Sequence, residues 1–340
     1  MKSKNTVFVF TLFSSLGDFI LIGDLVHKIE RLLPTSRVVV AHRNNPYVKF
    51  WKYANASGYF YNVTDCNELL KFHSALRKLK ADQFTILGLQ QAPGSLQGFF
   101  FYALLKKIKA IDYIVDFNLY NADIVTRPDG KYILDLHLNQ IKNLANIQIP
   151  NEYYQLNLPF EYPSAHQGQQ NSAKVIGIHP WSRRGHLPAF AWPRQNWRDL
   201  IQRLAEDQNN QIVIFGRDAQ FEDFKNDLHD IVKEYSPRIS FQQNTSIQDL
   251  TTTIDRLDLL ISVNTSVVHI GYALNKKMVI LSGPTFDFWI PKGENIKTIQ
   301  DDEAMWPGSD KHIYDDHFPS IQRIPFEKVL SATNELLKCL

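Results

Sequence analysis

The sequence predicts an α/β protein built from two doubly wound, Rossmann-like domains that face a central cleft. Apolar runs of strand length alternate with amphipathic helical stretches, which is the pattern of repeated βαβ units. The alternation stops at a polar, proline-containing segment, residues 156–171, and restarts after it. With 340 residues, the chain is also longer than a typical single hydrophobic core allows. These three observations together indicate two domains of the same class.

The first half begins with a strand at residues 6–13 (TVFVFTLF). This segment is β-branched and aromatic throughout, as in a strand buried on both faces of a parallel sheet. A helix follows at residues 18–33, because apolar residues recur at helical spacing until Pro34 ends the pattern. Further strands are predicted at residues 37–41, 59–63, 84–89 and 112–116, and further helices at residues 68–79, 99–108 and 131–144.

The second half restarts with a strand at residues 174–178 and a helix at 194–206, where Pro193 stands at a favoured first-turn position. Ser246 and Asp249 form a capping-box pattern that predicts the start of another helix. Further strands are predicted at residues 211–215, 259–263 and 278–281, and further helices at 219–234, 265–274 and 325–337.

These elements define the domain organisation. Residues 1–155 form the N-terminal domain, residues 172–317 the C-terminal domain, and residues 156–171 the linker between them. Residues 318–340 form a C-terminal helix that we expect to pack back on the N-terminal domain.

Charge is distributed unevenly along the chain. Residues 1–150 carry 18 Lys and Arg against 11 Asp and Glu, and the remainder carries 19 against 24. The basic half favours an anionic partner, either a phosphorylated substrate or an acidic membrane surface, with a solvated basic surface as the alternative. The chain has two cysteines, too few for a disulfide framework or a four-cysteine zinc site. No apolar stretch approaches the ~20 residues of a membrane span.

The first strand-to-helix turn, at residues 13–18, supplies a carboxylate. In an open α/β sheet, ligands bind beyond the carboxyl ends of the strands, where such turns lie. Asp18 is placed to act as a general base. The alternative is an aspartate that only complements the helix dipole from the first turn. Gly17 beside it indicates a tight turn or a close backbone approach.

The second turn has the sequence HPWSRR and follows the strand at residues 174–178. Ser182 contributes a hydroxyl, and Arg183 and Arg184 can hold a pyrophosphate through charge-assisted hydrogen bonds. The alternative is a pair of solvated surface arginines. The chain has neither a G-x-G-x-x-G fingerprint nor a Walker loop, which argues against a dehydrogenase or a P-loop NTPase.

The third turn precedes the helix predicted at residues 265–274. Asn264, Thr265 and Ser266 surround its start, where free backbone N–H groups form a natural anion site. His269 lies one turn further on. The alternative is that Asn264 or Thr265 is only an N-cap and His269 a buried histidine with a satisfied ring.

A weaker candidate follows the strand at residues 211–215. Gly216 ends that strand, and Glu222 beyond it can accept hydrogen bonds from a ribose, although Asp218 and Asp223 compete for the role. The chain contains no H-E-x-x-H and no D-x-D motif. We therefore predict no metal ligands and no metal cofactor.

Several motifs occur in a specific order along nearly the whole chain. They are Ser14-Ser15-Leu16-Gly17-Asp18, Ile178-His179-Pro180, Trp192-Pro193, Ile214-Phe215-Gly216, Asn264-Thr265-Ser266 with His269, and Ser282-Gly283-Pro284-Thr285. In order and spacing they resemble glycosyltransferase family 9, the heptosyltransferases of lipopolysaccharide core synthesis, which have a GT-B fold.

The resemblance implies an inverting, metal-independent transfer of heptose from ADP-L-glycero-D-manno-heptose to a lipopolysaccharide inner-core acceptor. It implies that Asp18 is the catalytic base, and we assign Ser15 and Gly17 beside it to the acceptor. The C-terminal domain would bind the nucleotide sugar through Ser182, Arg183, Arg184, Gly216, Glu222, Asn264, Thr265, Ser266 and His269.

The partners that follow are an ADP-sugar and a phosphorylated or Kdo-containing, lipid-linked glycan acceptor. The donor is a co-substrate, and no further cofactor and no nucleic acid are expected. The implied location is the cytoplasm, with peripheral contact at the cytoplasmic face of the inner membrane.

Three positions depart from the family pattern. Asn264 stands where an aspartate is usual, Ser266 where a glycine is usual, and Phe190 where a phosphate-binding lysine is common. Three alternatives therefore stay open. The chain can be a glycosyltransferase that uses another nucleotide sugar for a different surface glycan or protein. It can also be a non-catalytic nucleotide-sugar-binding relative, or an epimerase of the same architecture.

Overall fold

The computed structural model describes most of the chain. The chain folds into two compact units, and the boundary between them along the sequence lies between Phe160 and Glu161. The described residues are 6–12, 15–42, 44–52, 60–62, 66–79, 83–87, 113–116, 124–125, 131–164, 173–182, 188–216, 219–244, 246–285, 287–301 and 320–340. The predicted helix at residues 99–108 lies outside these ranges, as do Arg183 and Arg184.

The first unit contains a parallel sheet of six strands in the order β3-β2-β1-β4-β5-β6. The strands are β1 (Thr6–Leu12), β2 (Arg37–His42), β3 (Phe60–Asn62), β4 (Gln83–Leu87), β5 (Tyr113–Asp116) and β6 (Ile124–Val125). From β1 the chain moves outward on one side to β3 and then continues on the other side at β4. The carboxyl end of β1 is therefore the switch point of this sheet, where ligands bind in open α/β proteins.

Three helices are described in the first unit. They are α1 (Leu16–Leu32), α2 (Cys66–Lys78) and α3 (Ile133–Ala145). Helix α1 follows β1 directly and is buried along most of its length, as its nearly continuous apolar sequence requires. It ends at Leu33, whose N–H donates to the carbonyl oxygen of Ile29, just before Pro34.

Helix α1 also fixes the chain that leaves the first unit. The carboxylate of Asp24 and the ammonium of Lys28 form a buried ion pair, with side chains 1% and 4% exposed. Asn157 donates its backbone N–H to Asp24 at 3.1 Å, and the ammonium of Lys28 also donates to the carbonyl oxygen of Gln155. The segment before the unit boundary is therefore held by a satisfied, buried polar cluster.

The second unit contains another parallel sheet of six strands, in the order β12-β11-β10-β7-β8-β9. The strands are β7 (Lys174–His179), β8 (Asn210–Gly216), β9 (Ile239–Gln243), β10 (Leu259–Val263), β11 (Lys277–Ser282) and β12 (Ile296–Gln300). From β7 the chain moves outward to β9 and then continues at β10 on the other side of β7. The switch point of this sheet therefore lies between the carboxyl ends of β7 and β10.

The helices of the second unit cover both faces of its sheet. They are α4 (Arg194–Ala205), α5 (Ala219–Asp227), α6 (His229–Tyr235), α7 (Ile247–Asp255), α8 (Ser266–Ala273) and α9 (Phe326–Lys338). The predicted capping box of α7 is confirmed, since Ser246 and Asp249 exchange both hydrogen bonds. The single helix predicted at residues 219–234 is wrong, because the chain forms two helices that meet at the buried Leu228.

The C-terminal helix packs on the sheet of the second unit. Helix α9 lies against β11 and α4, and Val329 and Leu336 belong to the apolar core of this unit. Lys174 of β7 donates to the carbonyl oxygen of Leu337 at 2.6 Å. The apolar face of the helix therefore completes the core beside its own sheet, and its packing on the N-terminal domain stays a prediction. Across the described ranges, no helix is both long and apolar enough to cross a membrane.

Candidate functional site

Asp18 lies at the switch point of the first sheet, in the first turn of α1. Ser15 is the N-cap of this helix. Its hydroxyl oxygen accepts the backbone N–H of Asp18 at 3.1 Å, and the hydroxyl hydrogen is donated to Oδ2 of Asp18 at 2.6 Å. Gly17 between them is buried. The turn thus brings together the three residues predicted for the first site.

The environment of Asp18 suits a proton acceptor. The residue is 9% exposed, and burial raises the pKa of its carboxyl group, while the two hydrogen bonds with Ser15 lower it in part. Within the described ranges, Oδ1 has no hydrogen-bond partner, whereas Oδ2 is bound by Ser15. A raised pKa and an unoccupied oxygen are the properties of a general base. The position in the first turn is also favourable for the helix dipole.

The start of α8 forms the centre of the second site, next to the carboxyl end of β10. Asn264 donates its backbone N–H to the carbonyl oxygen of Leu281 at 2.9 Å, which fixes the turn to β11. Thr265 is the N-cap, and its hydroxyl accepts the N–H of Val267 at 3.4 Å. The N–H of Ser266 has no partner among the described residues, so it remains for an anion.

Two histidines near this edge are uncharged; His269 is buried and His179 is half-buried. Burial lowers the pKa of His179 at the end of β7, and that of His269 in α8, to about 4. At neutral pH neither ring adds positive charge to the site. The predicted role of His269 in donor binding would therefore rest on hydrogen bonding by a neutral imidazole.

Three polar groups at the same edge are buried without hydrogen-bond partners in the described structure. They are the indole N–H of Trp181, the hydroxyl of Ser182 and the hydroxyl of Ser282. Trp181 and Ser182 follow β7, and Ser282 ends β11. Buried polar groups in folded proteins are nearly always satisfied, so unsatisfied groups along the carboxyl edge of this sheet are suited to bind a polar ligand.

Sequence analysis named Ser182 but missed Trp181 and Ser282 as site residues. Ser282 directly follows the strand predicted at residues 278–281, and Trp181 stands in the loop after the strand predicted at residues 174–178. Position after a strand was the available signal for both residues. What distinguishes Trp181 is the unsatisfied N–H, which depends on the packing around it.

The remaining predicted residues occupy different places. Gly216 ends β8, and the ring of Trp181 covers it. Glu222 lies in the first turn of α5, beyond the end of β8, and its side chain is exposed. The positions of Arg183 and Arg184 fall outside the described residues. The second sheet therefore brings Ser182, Gly216 and residues 264–266 to the same edge.

The family model of Glycosyltransferase family 9 (heptosyltransferase) matches residues 75–312 of the chain. The match begins in α2 of the first unit and extends beyond β12 of the second. It includes the residues at the carboxyl edge of the second sheet and does not include the first strand or the turn that carries Asp18.

A curated relative is Lipooligosaccharide heptosyltransferase 2 of Campylobacter jejuni, which is 26% identical over 197 residues. That alignment covers 57% of this chain, and the chain spans 60% of the length of the curated relatives it matches.

Two solved structures are similar over nearly the whole chain. The glycosyl transferase family 9 protein of Veillonella parvula has a TM-score of 0.70 at 16% identity and covers 100% of this chain and 99% of its own. The E. coli ADP-heptose lipopolysaccharide heptosyltransferase II has a TM-score of 0.59 at 18% identity and covers 98% of each chain. Together with the two parallel, doubly wound sheets, these similarities confirm the predicted α/β, GT-B fold class.

Proposed function

The chain belongs to glycosyltransferase family 9, and from this premise we propose that it transfers a heptose from ADP-L-glycero-D-manno-heptose to a lipopolysaccharide inner-core acceptor. The proposed reaction is inverting and independent of metal. The observation that carries the proposal is the set of unsatisfied buried donors, Trp181, Ser182 and Ser282, along the carboxyl edge of the second sheet.

These donors suit a nucleoside diphosphate. A diphosphate presents only acceptor oxygens, so indole N–H, hydroxyl and backbone N–H groups can each be satisfied by it. The start of α8 adds the N–H of Ser266 and the positive end of the helix dipole. We retain the prediction that Arg183 or Arg184 contributes a positive charge, which no described residue at this edge supplies. Position 190 is occupied by Phe190, which is uncharged and supplies no positive charge either.

We assign the chemistry of the acceptor to Asp18. Its carboxylate would take the proton of an acceptor hydroxyl through Oδ1 as the acceptor oxygen attacks the anomeric carbon of the donor sugar. The bond from that carbon to the diphosphate oxygen breaks in the same displacement, so the anomeric configuration is inverted. The raised pKa of Asp18 favours this role, since a base with a pKa closer to the working pH accepts a proton more readily.

We assign stabilisation of the leaving group to the second unit. Negative charge develops on the departing nucleoside diphosphate, and preorganised N–H and O–H donors would stabilise that charge in place of a metal ion. The basic first half of the chain, with 18 Lys and Arg against 11 Asp and Glu in residues 1–150, supports a phosphorylated or Kdo-containing lipid-linked acceptor. Such an acceptor would be met at the surface of the inner membrane.

A second candidate is a glycosyltransferase that uses another nucleotide sugar. Two observations favour it. Asn264 turns its backbone toward β11 and has a neutral side chain where the family usually has a carboxylate. Phe190 is half-buried in a 3₁₀ turn, Pro188–Phe190, that packs against the 3₁₀ turn Ile321–Arg323. This position therefore has an apolar packing role in place of phosphate binding.

Calorimetric titration with ADP, UDP and GDP, with and without Mg²⁺, tests the proposal. We expect ADP to bind preferentially and without Mg²⁺. Thr265→Ala should weaken ADP binding by about tenfold, the value of one good hydrogen bond and its helix cap. Thr333→Val is the matched control, because Thr333 lies in α9 and donates within its own helix to the carbonyl oxygen of Val329. Preference for UDP or GDP would favour the second candidate, and absence of binding to all three would overturn both.

A further inference from the structure

Two helices of this protein begin with the same pattern, a serine at the N-cap and an aspartate three residues later. In α7 the pair is Ser246 and Asp249, and in α1 it is Ser15 and Asp18. In both, the serine hydroxyl oxygen accepts the N–H of the aspartate, at 3.0 Å in α7 and 3.1 Å in α1. The two pairs differ in what binds the carboxylate.

In α7 the carboxylate has a purely structural role. Oδ2 of Asp249 accepts the backbone N–H of Ser246 at 3.0 Å, which completes a reciprocal capping box. In α1 the hydrogen bond to Oδ2 of Asp18 comes instead from the hydroxyl of Ser15, at 2.6 Å. A hydroxyl has one hydrogen, so the side chain of Ser15 has no further donor for another ligand.

We infer that Ser15 is a positioning residue for Asp18, whereas the sequence analysis assigned it to binding of the acceptor substrate. The inference rests on the proposed role of Asp18 as the base. Ser15 holds Oδ2 through its hydroxyl hydrogen and the main chain of Asp18 through its hydroxyl oxygen. This leaves Oδ1 as the oxygen that takes the proton.

Ser15 is itself held by the turn that follows the neighbouring strand, β2. Asn45, which is buried, donates its side-chain amide to the carbonyl oxygen of Ser15 at 3.3 Å. The side-chain oxygen of Asn45 accepts the N–H of Tyr47 at 2.9 Å, and its backbone N–H donates to Nδ1 of His42 at 3.3 Å. The turn after β2 therefore holds Ser15, and Ser15 holds Asp18.

This turn is itself anchored to β3. Asn44 has a left-handed backbone with φ of 49°, a conformation that asparagine tolerates better than most residues. Its N–H donates to the side chain of Asn62 at 2.8 Å, and the amide of Asn62 donates back to the side chain of Asn44 at 2.7 Å. Because this reciprocal pair fixes the turn, Asn45 can hold Ser15 in one place.

The ionisation of Asp18 depends on burial and on Ser15 alone among the described groups. Burial raises the pKa of Asp18, and the two hydrogen bonds with Ser15 lower it. The turn after β2, β2 itself and α3 carry titratable groups, but none contributes to this pKa. They are Arg37, His42, Tyr47, Lys49, Asp135, His137 and Lys142. Strand β1 carries no titratable residue.

The test compares Ser15→Ala with Ser15→Thr. In Ser15→Ala the carboxylate loses the bond that stabilises its charge, so the pKa of Asp18 should rise and the acid limb of the transfer rate should move to higher pH. We expect kcat to fall by about tenfold to a hundredfold, with KM for the acceptor nearly unchanged. Ser15→Thr keeps the hydroxyl and should restore both the pKa of Asp18 and kcat. Ser15→Gly removes the hydroxyl with a smaller loss of helix capping than alanine and should reproduce the effect of Ser15→Ala.

The pKa is measured directly by ¹³C NMR titration of protein labelled at aspartate carboxyl carbons, with Asp18 assigned by comparison with Asp18→Asn. Ser246→Ala is the matched control, since it removes the equivalent cap of α7 and should leave the Asp18 titration unchanged. An Asp18 pKa that is the same in Ser15→Ala and in the unmodified protein would overturn the inference, whatever the transfer assay shows. A tenfold rise in KM with unchanged kcat would also overturn it, by returning Ser15 to the acceptor site. Loss of the base role itself would instead appear as full transfer by Asp18→Asn.

Discussion

The indole ring of Trp181 covers Gly216. A Cβ atom at residue 216 would lie 2.6 Å from Cε2 of the indole ring, well inside van der Waals contact. The ring has little room to move away, because Phe221 and Phe224 meet it edge-on at centroid distances of 5.9 and 5.5 Å. Gly216 is therefore the residue that lets the indole ring of Trp181 lie directly against the end of β8.

Gly216→Ala should displace Trp181 and disturb the second site. We expect a loss of about 1–3 kcal/mol in stability, the usual effect of overpacking, together with weaker nucleotide binding. Thermal unfolding and calorimetric titration measure the two effects. Gly293→Ala is the matched control, because its added Cβ would meet Ile296 Cδ1 at 3.8 Å, an ordinary contact. Equal behaviour of the two variants would contradict the packing role of Gly216.

Trp181→Phe removes the unsatisfied N–H together with part of the ring volume, so some loss of stability from the cavity is expected. ADP affinity should fall by about tenfold if the N–H binds the diphosphate. Trp192→Phe provides the contrast, since the Trp192 N–H donates to the carbonyl oxygen of Ile324 at 2.8 Å. That variant should lose about 1–3 kcal/mol more stability than Trp181→Phe, because it also leaves a buried carbonyl without its donor. Unchanged ADP affinity in Trp181→Phe would remove the indole N–H from the donor site.

Asp18→Asn should abolish most transfer without destabilising the fold. The amide cannot accept a proton, so a decrease of about 10²–10⁴-fold in kcat is expected for a general base. The buried carboxylate is costly to ionise, as its raised pKa indicates, so its neutral replacement should not lower the melting temperature. A radiolabel or coupled assay for nucleoside diphosphate release measures transfer. Asp199→Asn on the exposed face of α4 serves as control, and full activity in Asp18→Asn would falsify the base assignment.

Asp24→Asn should have the opposite effect: it should lower the stability of the protein without removing a group that takes part in the proposed reaction. It leaves the buried ammonium of Lys28 without its counter-ion, for which about 3–5 kcal/mol is typical. Urea unfolding measures the change. The exposed pair Glu68–Lys71, with side chains 36% and 72% exposed, is the control, and Glu68→Gln should lose less than about 1 kcal/mol. If the double variant Asp24→Leu/Lys28→Met is no more stable than Asp24→Asn, the charge of Lys28 is not the cause.

Buried histidines should make stability depend on pH. Burial lowers the pKa of His137 in α3 from 6.5 to about 4, so between these values the unfolded chain binds a proton that the folded chain does not. Stability should therefore fall as pH decreases from about 6.5 to about 4, with a contribution on the order of 3 kcal/mol from this residue. Urea unfolding at several pH values measures the slope. His137→Leu should reduce the slope without abolishing it, since His179 and His269 have similarly lowered pKa values. An unchanged slope would show that His137 does not contribute.

Much of the architecture was predictable because its signals are local. The apolar runs of β1, β7 and β10 identify strands buried on both faces, and Ser246 with Asp249 identifies the start of α7. Strands β9 and β12 were missed, because ISFQQ and IKTIQ alternate polar residues at the edges of the sheet. Edge strands are half solvated, so their composition resembles that of loops.

The ends of strands, the starts of helices, and the positions of Asp18 and residues 264–266 at such boundaries follow from the residue pattern, because hydrophobic period and helix caps are read within a few residues. Which boundaries share an edge, and which polar atoms there lack partners, follows only from the folded chain. His179 and Ser262 are neighbours on paired strands although 83 residues separate them along the chain. Hydrogen-bond satisfaction depends on such long-range neighbours. For this reason the unpaired N–H of Trp181 became visible only in the folded protein, as did the donation of the Ser15 hydroxyl to Asp18.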